Sequence, residues 1–174
     1  VLADLSRIDA IAGDLAGFDA CFFCLGVTSA GMTEEAYARV TYELTMKIAT
    51  LLARLNPAIT FTYVSGAGTD STGQGRFMWA RVKGRTENAL LALPFKAAFM
   101  FRPGAIQPLH GITSKTRWYR VLYALTAPLY PVLSRLLPDS MTTTERVGRA
   151  MLAVARGGFD TKILETGDVN RAGR

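Results

Sequence analysis

The strongest constraint on this fold is an alternation. Short runs of apolar, β-branched or aromatic residues are each followed by a longer stretch with helical periodicity. Residues 59–64 (Ile-Thr-Phe-Thr-Tyr-Val) read as a strand. Before them, Thr33 is placed to cap a long helix, with Glu34 and Glu35 in the first turn, where the helix dipole favours negative charge. Tyr37, Val40, Leu44, Ile48, Leu51 and Leu55 recur at spacings of three or four, which gives that helix one apolar face, and Asn56-Pro57 stops it. After the strand, a Gly/Ser/Thr loop over 66–75 leads into a helix from Met78 to about Leu93, ended by Pro94. Residues 20–25 and 97–102 read as two more strands, closed by Gly26 and by Pro103-Gly104. Strands separated by helices of ten or more residues call for crossover connections. They imply an α/β fold, a Rossmann-like parallel sheet with helices on both faces.

The flanks fit the same scheme. Val1-Leu2-Ala3 looks like the end of a strand, and Ser6 is placed to cap a short helix from Arg7 to about Leu15. A loop is expected over 105–115, then an aromatic, Pro-interrupted helical region over 118–137. Thr143 or Thr144 caps a further helix through Val147, Ala150, Met151 and Val154, with Gly157-Gly158 ending it. Lys162-Ile163-Leu164 reads as a short last strand, followed by a polar tail. No internal repeat appears, and 174 residues suit one domain, 1–174.

Composition narrows the function classes. The net charge is +6, but Lys and Arg are scattered and form no basic run. This favours solvated faces with one phosphate site and gives no nucleic-acid signature. The apolar stretch 121–133 is broken by Pro128 and Pro131 and is shorter than a membrane span needs, about 20 residues. Two cysteines give no disulfide framework, so a reducing cytoplasm is the expected compartment. Cys21 and Cys24 have C-x-x-C spacing, yet positions three apart in a strand point to opposite faces, so core packing is expected rather than redox or metal chemistry. A single histidine, His110, argues against a histidine zinc cluster or a catalytic triad.

The chemistry-bearing stretch is Tyr63-Val64-Ser65-Gly66, followed by Trp79-Ala80-Arg81-Val82-Lys83-Gly84. It sets a serine at a strand end and then an aromatic residue and a lysine four positions apart on one helix face. In this order the chain resembles the short-chain dehydrogenase/reductase superfamily, in its atypical or extended, NAD-dependent epimerase/dehydratase-like branch. The resemblance runs from Val1 to about Val169. Asp4-Leu5 resembles the family's adenine-contacting pair after the third strand. Leu25-Gly26 resembles the turn along the cofactor after the fourth. Arg102-Pro103-Gly104 resembles the turn beside the nicotinamide after the sixth, and the segment 142–150 resembles a late helix start of that branch. The resemblance implies NAD or NADP as cofactor and a small-molecule substrate. It implies Ser65, Trp79 and Lys83 in the catalytic positions, Ser65 polarising a substrate oxygen and Lys83 holding the ribose. It makes residues 118–137 a substrate-side lid, and their apolar character suits an apolar substrate. A lipid surface touching this region is the minor alternative.

Two departures matter. Trp79 stands where the family carries the tyrosine that moves the proton, and an indole offers an N–H but no ionisable hydroxyl. Impaired catalysis is therefore expected. A protein that only binds a dinucleotide or a partner is the alternative. Ser71 also lies near, but Ser65 fits the strand end better. The second departure is the glycine-rich turn. Gly66, Gly68, Gly73 and Gly75 follow a strand at spacings that fit no dinucleotide fingerprint, so the pyrophosphate cradle and the first two strands are expected to be missing. Residues 20–25 would then form a bare sheet edge, and a fragment, a homo-oligomer or another pairing that covers this edge is the expectation. Each site residue also has a plainer reading. Ser65 could simply end a strand, Asp4 start a helix, Trp79 pack, and Lys83 sit on an exposed helix face. Gly26 is expected where backbone or ligand passes close.

Overall fold

The computed structural model describes residues 4–109 and 139–174. His110 and the aromatic 118–137 region lie outside the described residues, as does the end of the loop expected over 105–115. The expected α/β architecture is present: a four-stranded parallel sheet in the order β1-β2-β3-β6, flanked by helices. Its strands are β1 (Ala20–Phe23), β2 (Thr60–Val64), β3 (Ala97–Arg102) and β6 (Ile163–Glu165). The chain divides into two compact units, Val1–Met100 and Phe101–Arg174.

In the first unit, β1 and β2 pair in parallel from Ala20↔Thr60 to Phe23↔Tyr63. Thr60, Phe61, Thr62 and Tyr63 are all buried, so both faces of β2 are covered, as alternating side chains require. Phe61 stacks between Phe23 and Phe95, with ring centroids 5.8 and 4.9 Å away. The helix after β1 opens as α1 (Glu34–Ala38), capped by the Thr33 hydroxyl, which accepts from the Ala36 N–H at 3.2 Å. It passes through a π turn over Arg39–Glu43 and continues as α2 (Leu44–Leu55). Asn56 ends it and ties it to the preceding segment. Its side chain accepts from the Phe18 N–H at 3.0 Å and donates to the Leu15 carbonyl at 2.8 Å. α3 (Met78–Leu91) follows, and the first residues of β3 end the unit.

Several expectations are corrected here. The segment Leu5–Leu15 is a 3-10 run with non-helical breaks, and its cap is Asp4, not Ser6. The Asp4 carboxylate accepts from the Ser6 N–H at 2.9 Å. The apolar stripe of the long helix is interrupted, because the π turn adds a residue to one turn and leaves Val40 exposed. β1 ends at Phe23, so Cys24 falls beyond the strand and is exposed rather than packed in the core. Cys21 is half-buried, and burial pushes its thiol up to about 11. β1 stands at the end of the strand order, the edge position expected for residues 20–25. Phe22 and Leu25 are exposed beside it.

In the second unit, the expected loop at 105 begins as a strand instead. β4 (Ala105–Gln107) pairs in parallel with β5 (Met141–Thr143). Thr143 caps α4 (Thr144–Gly157), its hydroxyl accepting from the Arg146 N–H at 3.1 Å. The expected polar tail is a helix, α5 (Thr166–Ala172), started by a reciprocal capping box between Glu165 and Asp168.

Candidate functional site

Four of the residues singled out in the sequence come together at the carboxyl end of β1. Asp4 and Leu5 arrive from the start of the 3-10 segment, while Leu25 and Gly26 follow the strand. All four line one cavity of about 520 Å³. Ligand pockets commonly run from about 300 to 1,000 Å³, and open parallel sheets bind ligands beyond the carboxyl ends of their strands. The opposite wall is the π turn and the start of α2, through Arg39, Val40, Thr41 and Leu44. Among the described residues, nothing lies within 4 Å of where a side chain on Gly26 would go, so no described backbone passes close there. The carboxyl of Asp4 is held below the usual carboxylate range by its hydrogen bonds to Ser6, with Lys47 adding to the effect. It is an acceptor at neutral pH.

Ser65, Trp79 and Lys83 are arranged differently. Ser65 is buried just past the end of β2, and its hydroxyl donates to the carboxylate of Glu87 at 2.5 Å. Glu87 is fully buried on α3, one turn beyond Lys83. The Lys83 ammonium donates to the Ser65 carbonyl oxygen. Burial lowers the Lys83 pKa, and the Glu87 carboxylate works against that shift. β2 and α3 are thus joined by a polar cluster of three side chains. Sequence inspection did not single out Glu87, yet the i, i+4 spacing from Lys83 was available as a signal.

Trp79 packs. It lies against a cluster of Tyr37, Ala38 and Val82, and its ring edge comes 3.6 Å from the place a Gly68 side chain would take. Tyr63, which does carry a phenolic hydroxyl, is buried on β2, and burial raises its pKa further from neutrality. Neither residue supplies an accessible phenol in this part of the unit. The loop between β2 and α3 is organised by Asp70. Its carboxylate accepts from the Thr72 N–H and hydroxyl at 3.0 and 2.7 Å and from the Gly75 N–H at 2.6 Å.

Pro103 and Gly104 belong to the second unit, where Gly104 is fixed by its neighbours. Its N–H donates to the Thr166 hydroxyl at 2.9 Å, and an added side chain would meet the Ser140 carbonyl oxygen at 2.3 Å.

No family model matches the chain. Over 105 residues it is 30% identical to Protein HTATIP2 of the rat, Rattus norvegicus, a stretch that covers 60% of this chain and 42% of that protein. The matched part is thus less than half the length of that relative. Among the described residues, no helix is long and apolar enough to cross a membrane.

Proposed function

We propose that this chain is part of an NAD(P)-binding protein of the reductase or epimerase-like class, with the nucleoside end of the cofactor in the cavity at the end of β1 and with impaired proton transfer. The observation that carries this reading is the convergence of Asp4, Leu5, Leu25 and Gly26 on one cavity. The family resemblance assigns Asp4 and Leu5 to adenine contact and Leu25 and Gly26 to the turn along the cofactor. They come from separate segments and need not have met. The cavity fits that group, since its walls are largely apolar and the ionised Asp4 would be able to accept a hydrogen bond from an amino donor. When bound, the cofactor would supply hydride transfer at a carbon atom.

The chain's own residues support binding more than chemistry. Trp79 replaces a titratable hydroxyl with an indole N–H. The Ser65 hydroxyl donates to Glu87, and Lys83 donates to the backbone of Ser65. A non-catalytic dinucleotide-binding protein is the second reading, and the inward turn of Ser65 favours it. A pairing that covers the β1 edge and a small, apolar substrate belong to the same proposal.

Calorimetric titration with NAD(H) and NADP(H), run beside a turnover assay, tests it. Binding with little turnover is expected of the parent. Trp79→Tyr should raise turnover by about a hundredfold, the lower end of what a positioned general acid contributes. Failure of every dinucleotide to bind would overturn the cofactor reading. Equal, robust turnover in parent and variant would overturn the impairment.

A further inference from the structure

We infer that Arg39 is a ligand-contacting residue of the cavity at the end of β1, its planar guanidinium lying against the face of a neutral aromatic base that carries an amino group. The inference deepens the cofactor reading above and rests on it. Three observations carry it.

First, Arg39 is exposed on the cavity wall; its charge reaches the Glu35 carboxylate one turn back, but among the described residues no side-chain hydrogen bond or close ion pair holds its guanidinium. Several other arginines are committed. Arg81 pairs with Glu34, Arg149 with Glu145 and Arg171 with Asp168, while Arg85 lies 4.1 Å from the centre of the Tyr42 ring. Second, Arg39 opens the π turn, where the helix departs from its buried stripe and presents Arg39, Val40 and Thr41 to the cavity. Single π turns inside α-helices occur often at functional sites. Third, the rest of the lining selects the ligand's chemistry. Leu5, Leu25, Val40 and Leu44 make the walls apolar, and Asp4 adds a negative charge. An anionic group would meet that carboxylate, whereas an amino-bearing ring would be accepted by it. A guanidinium stacks on such a ring through its planar face, which an ammonium cannot do.

Calorimetric titration of the whole chain with ADP-ribose, NADH and NADPH tests the inference on wild type, Arg39→Ala and Arg39→Lys. Arg39 is exposed, and thermal melting confirms that each variant folds. The expected result is binding about three- to fivefold weaker in both variants, alike for all three ligands. Full rescue by lysine would overturn stacking in favour of a point charge. A loss confined to NADPH would overturn it in favour of 2′-phosphate recognition. Unchanged affinity in both variants would overturn the role of Arg39 and leave the cofactor reading standing. No binding by the wild type would bring down both.

Discussion

At the end of β1 the side chains stand open; at the end of β2, the next strand in the sheet, they are committed to one another. Leu25 and Val27 are 41% and 47% exposed at the first place, beside a cavity of about 520 Å³. At the second, Ser65 and Glu87 are 6% and 0% exposed and hydrogen-bonded, with Lys83 fixed to the Ser65 carbonyl. The difference separates two uses of polar residues. An exposed rim charge costs the fold little and remains free for a ligand. A buried polar cluster must satisfy itself, and what it satisfies internally it cannot offer outward. The residues that the family resemblance assigns to chemistry lie mostly in the second group, Lys83 with its ribose role among them, and the other residues assigned to cofactor contact in the first unit lie in the first.

Breaking the closed region should have the largest effect. Gly84 sits on α3 against the loop after β2, and a side chain there would fall 1.8 Å from the Asp70 carbonyl oxygen. Backbone cannot yield as a flexible side chain does, so Gly84→Ala should cost about 3 kcal/mol in urea unfolding. A cost within experimental error would mean that the loop does not dock on α3. The corresponding change at the open region, Arg39→Ala, should leave unfolding within about 0.5 kcal/mol of wild type, as surface changes usually do.

A smaller effect sharpens the same contrast through pH. Burial lowers the folded-state pKa of Lys83 below its usual 10.5. In the window between that lowered value and 10.5, the unfolded chain binds more protons than the folded one, so the Lys83 contribution makes stability rise with pH. Below the lowered value the contribution is constant and unfavourable. Lys83→Met should remove this rise, seen as a difference between the two stability curves as pH approaches 10.5. Parallel curves would indicate a solvated ammonium.

Much of the fold was legible, and the particular failures have physical causes. β2 could be read because β-branched and aromatic residues fill a run between a proline stop and a glycine loop. The Thr33 cap could be read because a hydroxyl before an acidic first turn has one obvious use, whereas Thr143 and Thr144 both precede Glu145 and only the backbone geometry chooses Thr143. Val40 fits the periodic stripe, yet a π turn shifts the register in a way that period-counting does not see. Asp4 and Ser6 are both good caps, and the choice between them depends on local backbone geometry. The α5 helix was passed over although Glu165 and Asp168 stand at capping-box spacing, because its charged composition resembled a tail. At the candidate site, resemblance singled out Asp4, Leu5, Leu25 and Gly26, which line one cavity. Glu87 was not singled out, because a glutamate on a helix is ordinarily solvated and only packing reveals it as buried.

The most direct test of the account is a titration of isotope-labelled protein with NADPH, followed by two-dimensional amide NMR. The account predicts the main shift changes at Leu5, Leu25, Gly26, Arg39 and Val40, around the open end of β1. Saturable binding that leaves those amides unmoved, or no binding at millimolar ligand, would contradict it.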